Sequence, residues 1–378
     1  MNKKLKRARV SDIIALLNQF APEKLAEDWD NVGLQVGDYN TEVNKILIAL
    51  DVNKKVLKEA IEKEVELIIA HHPVIFSELD SLTRNTELGD LIYQAIKADI
   101  SIYVMHTNYD IADEGLNHQL LKRLELKETG ILHKTGEQDL KKLAVFVPQD
   151  RADQLRNAMA KEGAGWIGDY SYCFFKQGGI GSFKPLTGTN PYIGEQDEIS
   201  EVEEVKLETV VKASDLKTVI EKMLKAHPYE EVAYDVYNLE NKSKAIGIGK
   251  VGELETKLVI KDYLELIKER LDLASLKVVA DSLEENIKKV AVCGGSGADY
   301  IKSAAAKGVD LYITGDVKYH QAQLAEELGL NLVDAGHYGT EKIMKDAVCH
   351  KLIDQLAANN YEAKVITSKI NTNPITIF

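Results

Sequence analysis

The sequence predicts an α/β fold in which two similar α/β halves are separated by an inserted ferredoxin-like βαββαβ unit. Three observations support this prediction: apolar strands alternate with helices in both outer parts of the chain, the outer parts align with each other without gaps, and the middle part has a different order of elements. A chain of 378 residues is long enough for two or three domains. We expect the halves at residues 1–130 and 245–378 and the insertion at 139–241.

The first half alternates short apolar strands with helices. Its predicted elements are, in chain order, a strand at 45–50, a helix at 56–63, a strand at 66–70, a helix at 88–98 and a strand at 101–105. Strands that are joined by helices usually lie parallel, because the helix carries the chain back across the sheet. This half is therefore predicted to form a layered α/β sheet.

The second half repeats the alternation. Its predicted elements are a strand at 289–293, a helix at 300–306, a strand at 311–314, a helix at 321–328 and a strand at 331–334. The same offset of 244 positions relates Ile46 to Val290 and Leu67 to Leu311. An internal duplication would bring equivalent strand ends to a shared cleft, where ligands of open α/β sheets usually bind. A chance likeness between two α/β units is the alternative.

The middle part has the element order of a ferredoxin-like unit. It is predicted to contain a strand at 143–147, a helix at 152–162, strands at 171–175 and 206–211, a helix at 213–226 and a strand at 232–237. Because the flanking halves resemble each other and not this segment, we interpret it as an insertion that leaves the host core intact.

Composition and charge disfavour several classes of protein. The formal net charge of −13 opposes binding to nucleic acid or anionic lipid. The sequence has no run of about 18 apolar residues that could span a membrane, and residues 1–7 lack the apolar stretch of a signal peptide, so we expect a cytoplasmic protein without a membrane partner. The three cysteines form no Cys-x-x-Cys pair and are interpreted as buried structural thiols: Cys173, Cys293 and Cys349.

Two adjacent histidines follow an apolar strand. His71 and His72 come directly after residues 67–70, at the strand end where α/β proteins build their sites. Adjacent side chains of an extended chain point to opposite sides, so two neighbouring metal ions could each take one imidazole. The alternative is a pair of satisfied core or surface histidines.

Three further residues could complete a site for metal ions. Asp110 follows the strand at 101–105, although a turn or a helix cap is an equally good role for it. His337 and Glu341 follow the strand at 331–334, at the start of a helix predicted to end near Leu356, and their i, i+4 spacing places them on one helix face. A carboxylate can bridge two metal ions, whereas an ordinary polar pair on a solvated face is the alternative.

Together the five residues predict a centre for two divalent metal ions with open positions for water. Nitrogen and oxygen ligands without thiolates suit Zn²⁺, Fe²⁺, Mn²⁺, Co²⁺ or Ni²⁺, whereas Ca²⁺ and Mg²⁺ prefer more oxygen ligands. The sequence does not indicate which of these five metals is bound.

Other polar residues near predicted strand ends are candidates for catalysis. His106 and His320 could move protons, and Asp316 could orient a metal ligand or take part in proton transfer. Capping of a helix is the alternative role for Asp316. The glycine-rich turn at 294–297 lacks both common phosphate-binding signatures, so we favour a tight structural turn over an anion site.

The chain resembles the Nif-three-like family, whose bacterial members are commonly called GTP cyclohydrolase 1 type 2 homologs. The resemblance covers about 1–130 and 245–378. Four signatures carry it: Trp29-Asp30-Asn31-Val32-Gly33-Leu34, His71-His72-Pro73, His106-Thr107-Asn108-Tyr109-Asp110, and Thr314-Gly315-Asp316 followed by Gly336-His337-Tyr338-Gly339-Thr340-Glu341.

The resemblance implies two metal ions, one held by His72, Asp110 and Glu341 and the other by His71, His337 and Glu341. It also implies a ring-shaped homohexamer of two stacked trimers. The middle part is similar to the PII-like and CutA-like insertions of longer family members, with residues 226–231 as its clearest marker. His227 lies in that marker, outside the outer halves, so we expect a structural or ligand-sensing role for it.

Three functions remain open, of which the weakest is an interaction with a protein or nucleic-acid partner through the ring, because the net charge is −13. The first is a metal-dependent hydrolase that acts on a small molecule with metal-activated water. The second is a metal-binding or metal-delivery protein whose inserted domain senses a ligand. Action on GTP would need a pocket for a purine and three phosphates, and the sequence shows no obvious basic cluster to hold them.

Overall fold

The computed structural model describes residues 5–168 and 170–377, which form two compact units. Unit 1 contains the described residues up to Lys134 and from Gly247 onward, and unit 2 is Thr135–Ile246. Residues 1–4, part of the segment in which no signal peptide was expected, lie outside the described residues. Within the described ranges, no helix has both the length and the apolar character required to cross a membrane.

The first part of unit 1 alternates strands and helices, as the sequence predicted. The helix Lys54–Glu62 begins after Asn53, whose side chain accepts hydrogen bonds from the backbone N–H groups of Lys55 and Val56. The strands are β1 (Lys6–Arg9), β2 (Gly33–Val36), β3 (Glu42–Val43), β4 (Lys45–Ala49), β5 (Leu67–Ala70) and β6 (Ser101–Val104). The helices are α1 (Val10–Phe20), α2 (Lys54–Glu62), α3 (Glu87–Lys97), α4 (Thr107–Ile111) and α5 (Leu116–Arg123).

Unit 2 has the order strand, helix, strand, strand, helix, strand. Its elements are β7 (Lys127–Pro148), α6 (Ala152–Lys161), β8 (Phe174–Phe183), β9 (Ser200–Lys212), α7 (Leu216–Ala226) and β10 (Tyr234–Val259). The strands follow one another in the sheet as β10-β7-β9-β8. β7 and β10 are much longer than the strands predicted at 143–147 and 232–237, and the chain passes through them from one unit to the other.

The second part of unit 1 again alternates strands and helices. Its helices are α8 (Ile260–Leu271), α9 (Ile301–Ala306), α10 (Tyr319–Glu327), α11 (His337–Glu341) and α12 (Met344–Asn359). Its strands are β11 (Lys277–Val279), β12 (Asn286–Val292), β13 (Leu311–Thr314), β14 (Asn331–Asp334), β15 (Tyr361–Glu362) and β16 (Lys364–Thr367). The single helix predicted to run from His337 to near Leu356 is wrong, because it is interrupted after Glu341.

The two parts of unit 1 have matching sheets. In the first, β16, β4, β5 and β6 are parallel and β2 is antiparallel to β6 at one edge. In the second, β12, β13 and β14 are parallel, β11 is antiparallel to β14 at one edge, and β10 is antiparallel to β12 on the other side, where the sheet continues into β7. Ile46 pairs with Leu67, and Val290 pairs with Leu311. The offset of 244 residues therefore also relates the pairing of β4 with β5 to that of β12 with β13, and the α/β class is confirmed.

Alternate residues of these strands face two different apolar clusters. Ile46 and Val290 belong to one large cluster that contains residues of both sheets together with helices α1, α8 and α12. Leu47 packs in a second cluster with α2 and α3, and Ala291 in a third with α9. Both sheets of unit 1 are thus covered on both faces, which is why their central strands are apolar throughout.

Candidate metal centre

Unit 1 brings all five predicted ligands together at the carboxyl ends of its parallel strands. His71 and His72 follow β5, Asp110 lies in the short helix after β6, and His337 and Glu341 begin and end α11 after β14. The turn into α11 occurs at Gly336, whose φ of +79° is a conformation that favours glycine.

Glu341 lies at the middle of the cluster and is 2 % exposed. Its Oε2 is 3.0 Å from His72 Nε2 and 3.0 Å from His337 Nε2, and its Oε1 is 3.6 Å from His71 Nε2. His71 Nε2 also lies 3.6 Å from Asp110 Oδ1. The two oxygens of one carboxylate therefore face different histidines, which is the arrangement expected of a bridging ligand.

Each of these histidines is oriented by a hydrogen bond at Nδ1. His71 Nδ1 lies 2.8 Å from the carbonyl oxygen of Met105, which can only accept a hydrogen bond, so Nδ1 carries the proton and Nε2 presents a lone pair. His72 Nδ1 is 2.7 Å from Asp51 Oδ1, and His337 Nδ1 is 2.7 Å from Asp316 Oδ2. Such partners fix the ring and raise the basicity of the nitrogen that faces a metal ion.

The atoms that face the centre lack ordinary hydrogen-bond partners. His71 Nε2, Asp110 Oδ1 and Glu341 Oε2 are buried and none has a partner with hydrogen-bond geometry, although the last is only 3.0 Å from two imidazole nitrogens. The Nε2 atoms of His72 and His337 face each other at 3.2 Å. Leaving a buried polar atom unpaired costs about 1–3 kcal/mol. Divalent cations would satisfy these lone pairs together, so the residues fit such ions.

The electrostatics of the cluster also favour cations. Burial lowers the pKa of His72 and of His337, but the carboxylates that face them outweigh burial and raise these pKa values to about 10 and about 9. Burial raises the pKa of Asp110 to about 7. For Glu341 burial acts in the same direction, but the surrounding histidines hold its pKa well below the usual range. These carboxylates increase the affinity of the imidazoles for any positive charge.

His106, which was predicted to transfer protons, lies beside the histidines of the centre. Its Nδ1 is 2.9 Å from Asp30 Oδ1, and its ring centroid is 5.2 Å from that of His71. Ligand nitrogens of His71, His72 and His106 all lie within 4.8 Å of one another, as do ligand atoms of the set His72, His337 and Glu341. His106 is therefore also a candidate ligand, a role that the sequence analysis missed.

Asp316 and His320 were both predicted as catalytic candidates, and the structure separates them. Asp316 contacts the centre through His337 Nδ1. His320 is exposed on α10, where it hydrogen bonds Gln323 at 3.0 Å and lies against the ring of Tyr319, and neither partner belongs to the centre. The helix directs His320 elsewhere although it follows the same strand as Asp316.

The shortest distances pair the ligands differently from the pairing that the family resemblance implies. His71 lies beside Asp110 and Glu341 Oε1, whereas His72 lies beside His337 and Glu341 Oε2. The implied pairing placed His72 with Asp110 and His71 with His337. These distances follow from the directions of the two imidazoles after β5, which a motif does not record.

The turn at 294–297 supports the centre and does not present its N–H groups to an anion. Its backbone N–H groups donate to side chains of the protein: Gly294 to Asn117, Gly295 to Thr340 and Gly297 to Thr314. A Cβ atom at Gly295 would lie 2.2 Å from Glu341 Oε1. Glycine is thus needed here to let the carboxylate approach the turn.

Comparisons with known proteins find similarity along almost the whole chain. Residues 8–374 match the model of the family described as Duf34/NIF3 (NGG1p interacting factor 3). The chain is 46 % identical over 364 residues to the GTP cyclohydrolase 1 type 2 homolog of Bacillus subtilis, covering 96 % of this chain and 97 % of the relative. The solved structure of a Bacillus cereus protein related to NIF3 matches with a TM-score of 0.90 at 41 % identity, covering 99 % of this chain and 100 % of that one. Staphylococcus aureus protein SA1388 matches with a TM-score of 0.75 at 32 % identity, covering 98 % and 99 %.

Proposed function

Because the chain belongs to the DUF34/NIF3 family, we propose that it is a dinuclear metal protein that hydrolyses a small molecule with metal-activated water. The observation that carries the proposal is the set of buried, unpaired ligand atoms that converge on Glu341. Divalent ions in such a site lower the pKa of water and so supply a nucleophile at neutral pH.

One ion would be held by His71, Asp110 and Glu341, and the other by His72, His337 and Glu341. The assignment follows the shortest distances between the side chains. The ligands are imidazoles and carboxylates, so zinc, iron, manganese, cobalt and nickel remain the candidate metals.

The chain's own residues orient the ligands and move protons. Asp51, Asp316 and the Met105 carbonyl hold three histidines with Nε2 directed at the centre. His106 is held in the same way by Asp30, so it is available either as a ligand or as the group that transfers a proton to the leaving atom. His320 has no part in this proposal.

The surroundings of the centre favour a substrate of low charge. The hydrogen-bond and ion-pair partners described for the five ligands are acidic, imidazole, hydroxyl, side-chain amide or backbone groups, and no lysine or arginine is among them. A triphosphate is usually held by several basic side chains. From the name of the Bacillus subtilis relative we therefore propose for this chain only a hydrolytic reaction class, without GTP as the substrate.

Unit 2 is best assigned as a PII-like or CutA-like insertion. Its order of elements and its strand order β10-β7-β9-β8 are those of a ferredoxin-like βαββαβ unit. We further propose that the chain assembles in the cytoplasm as a homohexamer of two stacked trimers, as the family resemblance implies. Light scattering coupled to size exclusion measures that mass directly.

The proposal is tested by elemental analysis of the purified protein followed by a screen of cyclic amides, phosphoesters and nucleotides. We expect about two ions per chain, and turnover that chelation abolishes and the metal restores. A protein that carries two ions but hydrolyses nothing would support the metal-delivery or ligand-sensing alternative. A protein that retains no metal after dialysis against trace metal would contradict both functions.

A further inference from the structure

Unit 2 contains a cavity that the proposed function does not use. Its volume is about 390 Å³, in the range of sites for small organic molecules. The walls come from Phe146 on β7, from the end of β8 and the loop after it, from β9, and from the segment between α7 and β10. All lining residues belong to unit 2, so the cavity is distinct from the metal centre in unit 1.

Three aromatic rings form one part of the wall. Tyr229 lies between Phe183 and Tyr192, with ring centroids 6.1 Å and 6.2 Å away and interplanar angles of 54° and 50°. The rings are tilted against one another and do not stack face to face. Cations are attracted to aromatic faces within about 6 Å of the ring centroid.

Carboxylates form the polar part of the wall. Glu204 Oε1 accepts a hydrogen bond of 2.8 Å from the hydroxyl of Tyr229, and Glu230 Oε2 accepts one of 2.9 Å from the backbone N–H of Asn190. Glu231 is a third acidic residue in the lining, against one lysine, Lys184. The lining therefore carries an excess of negative charge beside its rings.

His227 holds the backbone at Tyr229, whose ring is the central one of the three. Its Nε2 donates to the carbonyl oxygen of Phe146 at 2.9 Å, and its Nδ1 accepts from the backbone N–H of Tyr229 at 3.1 Å. Burial lowers the pKa of His227, which suits the neutral ring that this pair of bonds requires. Arg151 contacts the hydroxyl of Tyr192 at 3.2 Å, outside the lining. The contacts that hold these aromatic rings therefore lie within unit 2.

We propose that this cavity binds a small organic ammonium ion, with the charged head against Phe183, Tyr192 and Tyr229 and balanced by Glu204. Aromatic rings with a nearby carboxylate suit an alkylated ammonium group, which is too weakly hydrated to need many hydrogen bonds. A neutral ligand of equal size would gain the apolar contacts but not the attraction of the rings and carboxylates for charge.

The test compares choline with its neutral carbon analogue, 3,3-dimethyl-1-butanol, by isothermal titration calorimetry on the full-length protein. The two probes have nearly the same shape and differ in charge. We expect choline and tetramethylammonium to bind saturably and the neutral alcohol to bind at least about 10-fold more weakly. Equal binding of choline and the alcohol, or no saturable binding of either ammonium ion, would overturn the proposal.

Three variants locate the site. Glu204→Gln keeps the size and removes the charge, and Tyr192→Leu removes a ring that is 46 % exposed, so neither change should unfold the unit. Both should weaken choline binding at least about 10-fold. Glu203→Gln is the matched control, since this exposed residue is adjacent on β9 and does not line the cavity. Choline binding that survives Glu204→Gln and Tyr192→Leu would place the ammonium ion elsewhere and refute the inference.

Discussion

Replacing Gly295 by alanine should disable the proposed metal centre although Gly295 is not itself a ligand. The added Cβ would lie 2.2 Å from Glu341 Oε1, whereas ordinary contacts of a Cβ begin at 3.4 Å. The oxygen or the turn must therefore move by about 1.2 Å, and metal sites tolerate errors of only about 0.2 Å in ligand distance. Since Glu341 faces both groups of histidines, we expect the affinity for both ions to fall on the order of 100-fold or more.

The matched control for this prediction is Gly308→Ala. Both glycines have positive φ, +65° and +60°, so both alanine variants bear the same backbone strain of about 1–2 kcal/mol. Nothing lies within 4 Å of a Cβ at Gly308. Competition with a chromophoric zinc chelator measures the affinities, and thermal unfolding measures stability. The reasoning is refuted if the two variants lose similar stability and Gly295→Ala still binds two ions as the parent protein does.

Three further predictions concern the ligands, the acid stability and the insertion. Glu341→Gln should weaken the binding of both ions, whereas His71→Ala and Asp110→Ala should each leave the ion at His72 and His337 in place. Elemental analysis that finds two tightly held ions in Glu341→Gln would disprove the bridging role. Glu59 is buried, and hydrogen bonds from Lys63, Ser368 and Lys369 outweigh burial and lower its pKa. Its charge therefore stabilises the fold above the ordinary glutamate pKa, and this stability is lost as the pH falls through the lowered value. Glu59→Gln should lower the free energy of unfolding by about 1–3 kcal/mol at pH 7 and by progressively less toward pH 3. Glu62→Gln, at an exposed position of the same helix, should lower it little. Denaturant titrations measure these differences, and a loss of stability in Glu59→Gln that does not shrink as the pH falls would contradict the assignment. Replacing residues 135–246 by a short linker should leave about two ions per chain, because all five proposed ligands lie in unit 1; a folded deletion protein with fewer than one ion would show that unit 2 helps to build the centre.

Much of the centre was predictable because its residues are polar at the ends of apolar strands. His71, His72 and Asp110 follow buried strands, and the carboxyl ends of parallel strands meet at one edge of a sheet. Asp51 follows β4 in the same way and was missed, since one aspartate after a strand looks like any turn residue. Only its 2.7 Å contact with His72 shows its role.

What could not be predicted depends on local direction and on backbone pairing. His320 follows β13 closely in sequence, but α10 begins at Tyr319 and turns its side chain away from the centre. The long strands β7 and β10 contain polar stretches in which no apolar alternation indicates a strand, and their backbones pair nonetheless. The break between α11 and α12 leaves no glycine or proline in the sequence to mark it.

The division of the ligands between the two halves has a consequence for how the protein is made. During synthesis His71, His72 and Asp110 leave the ribosome well before His337 and Glu341, which lie much further along the chain. Domains usually begin to fold from their amino-terminal side during synthesis. The first half can therefore emerge with its histidines before Glu341 has been made, so the proposed metal centre can be completed only after translation has passed Glu341.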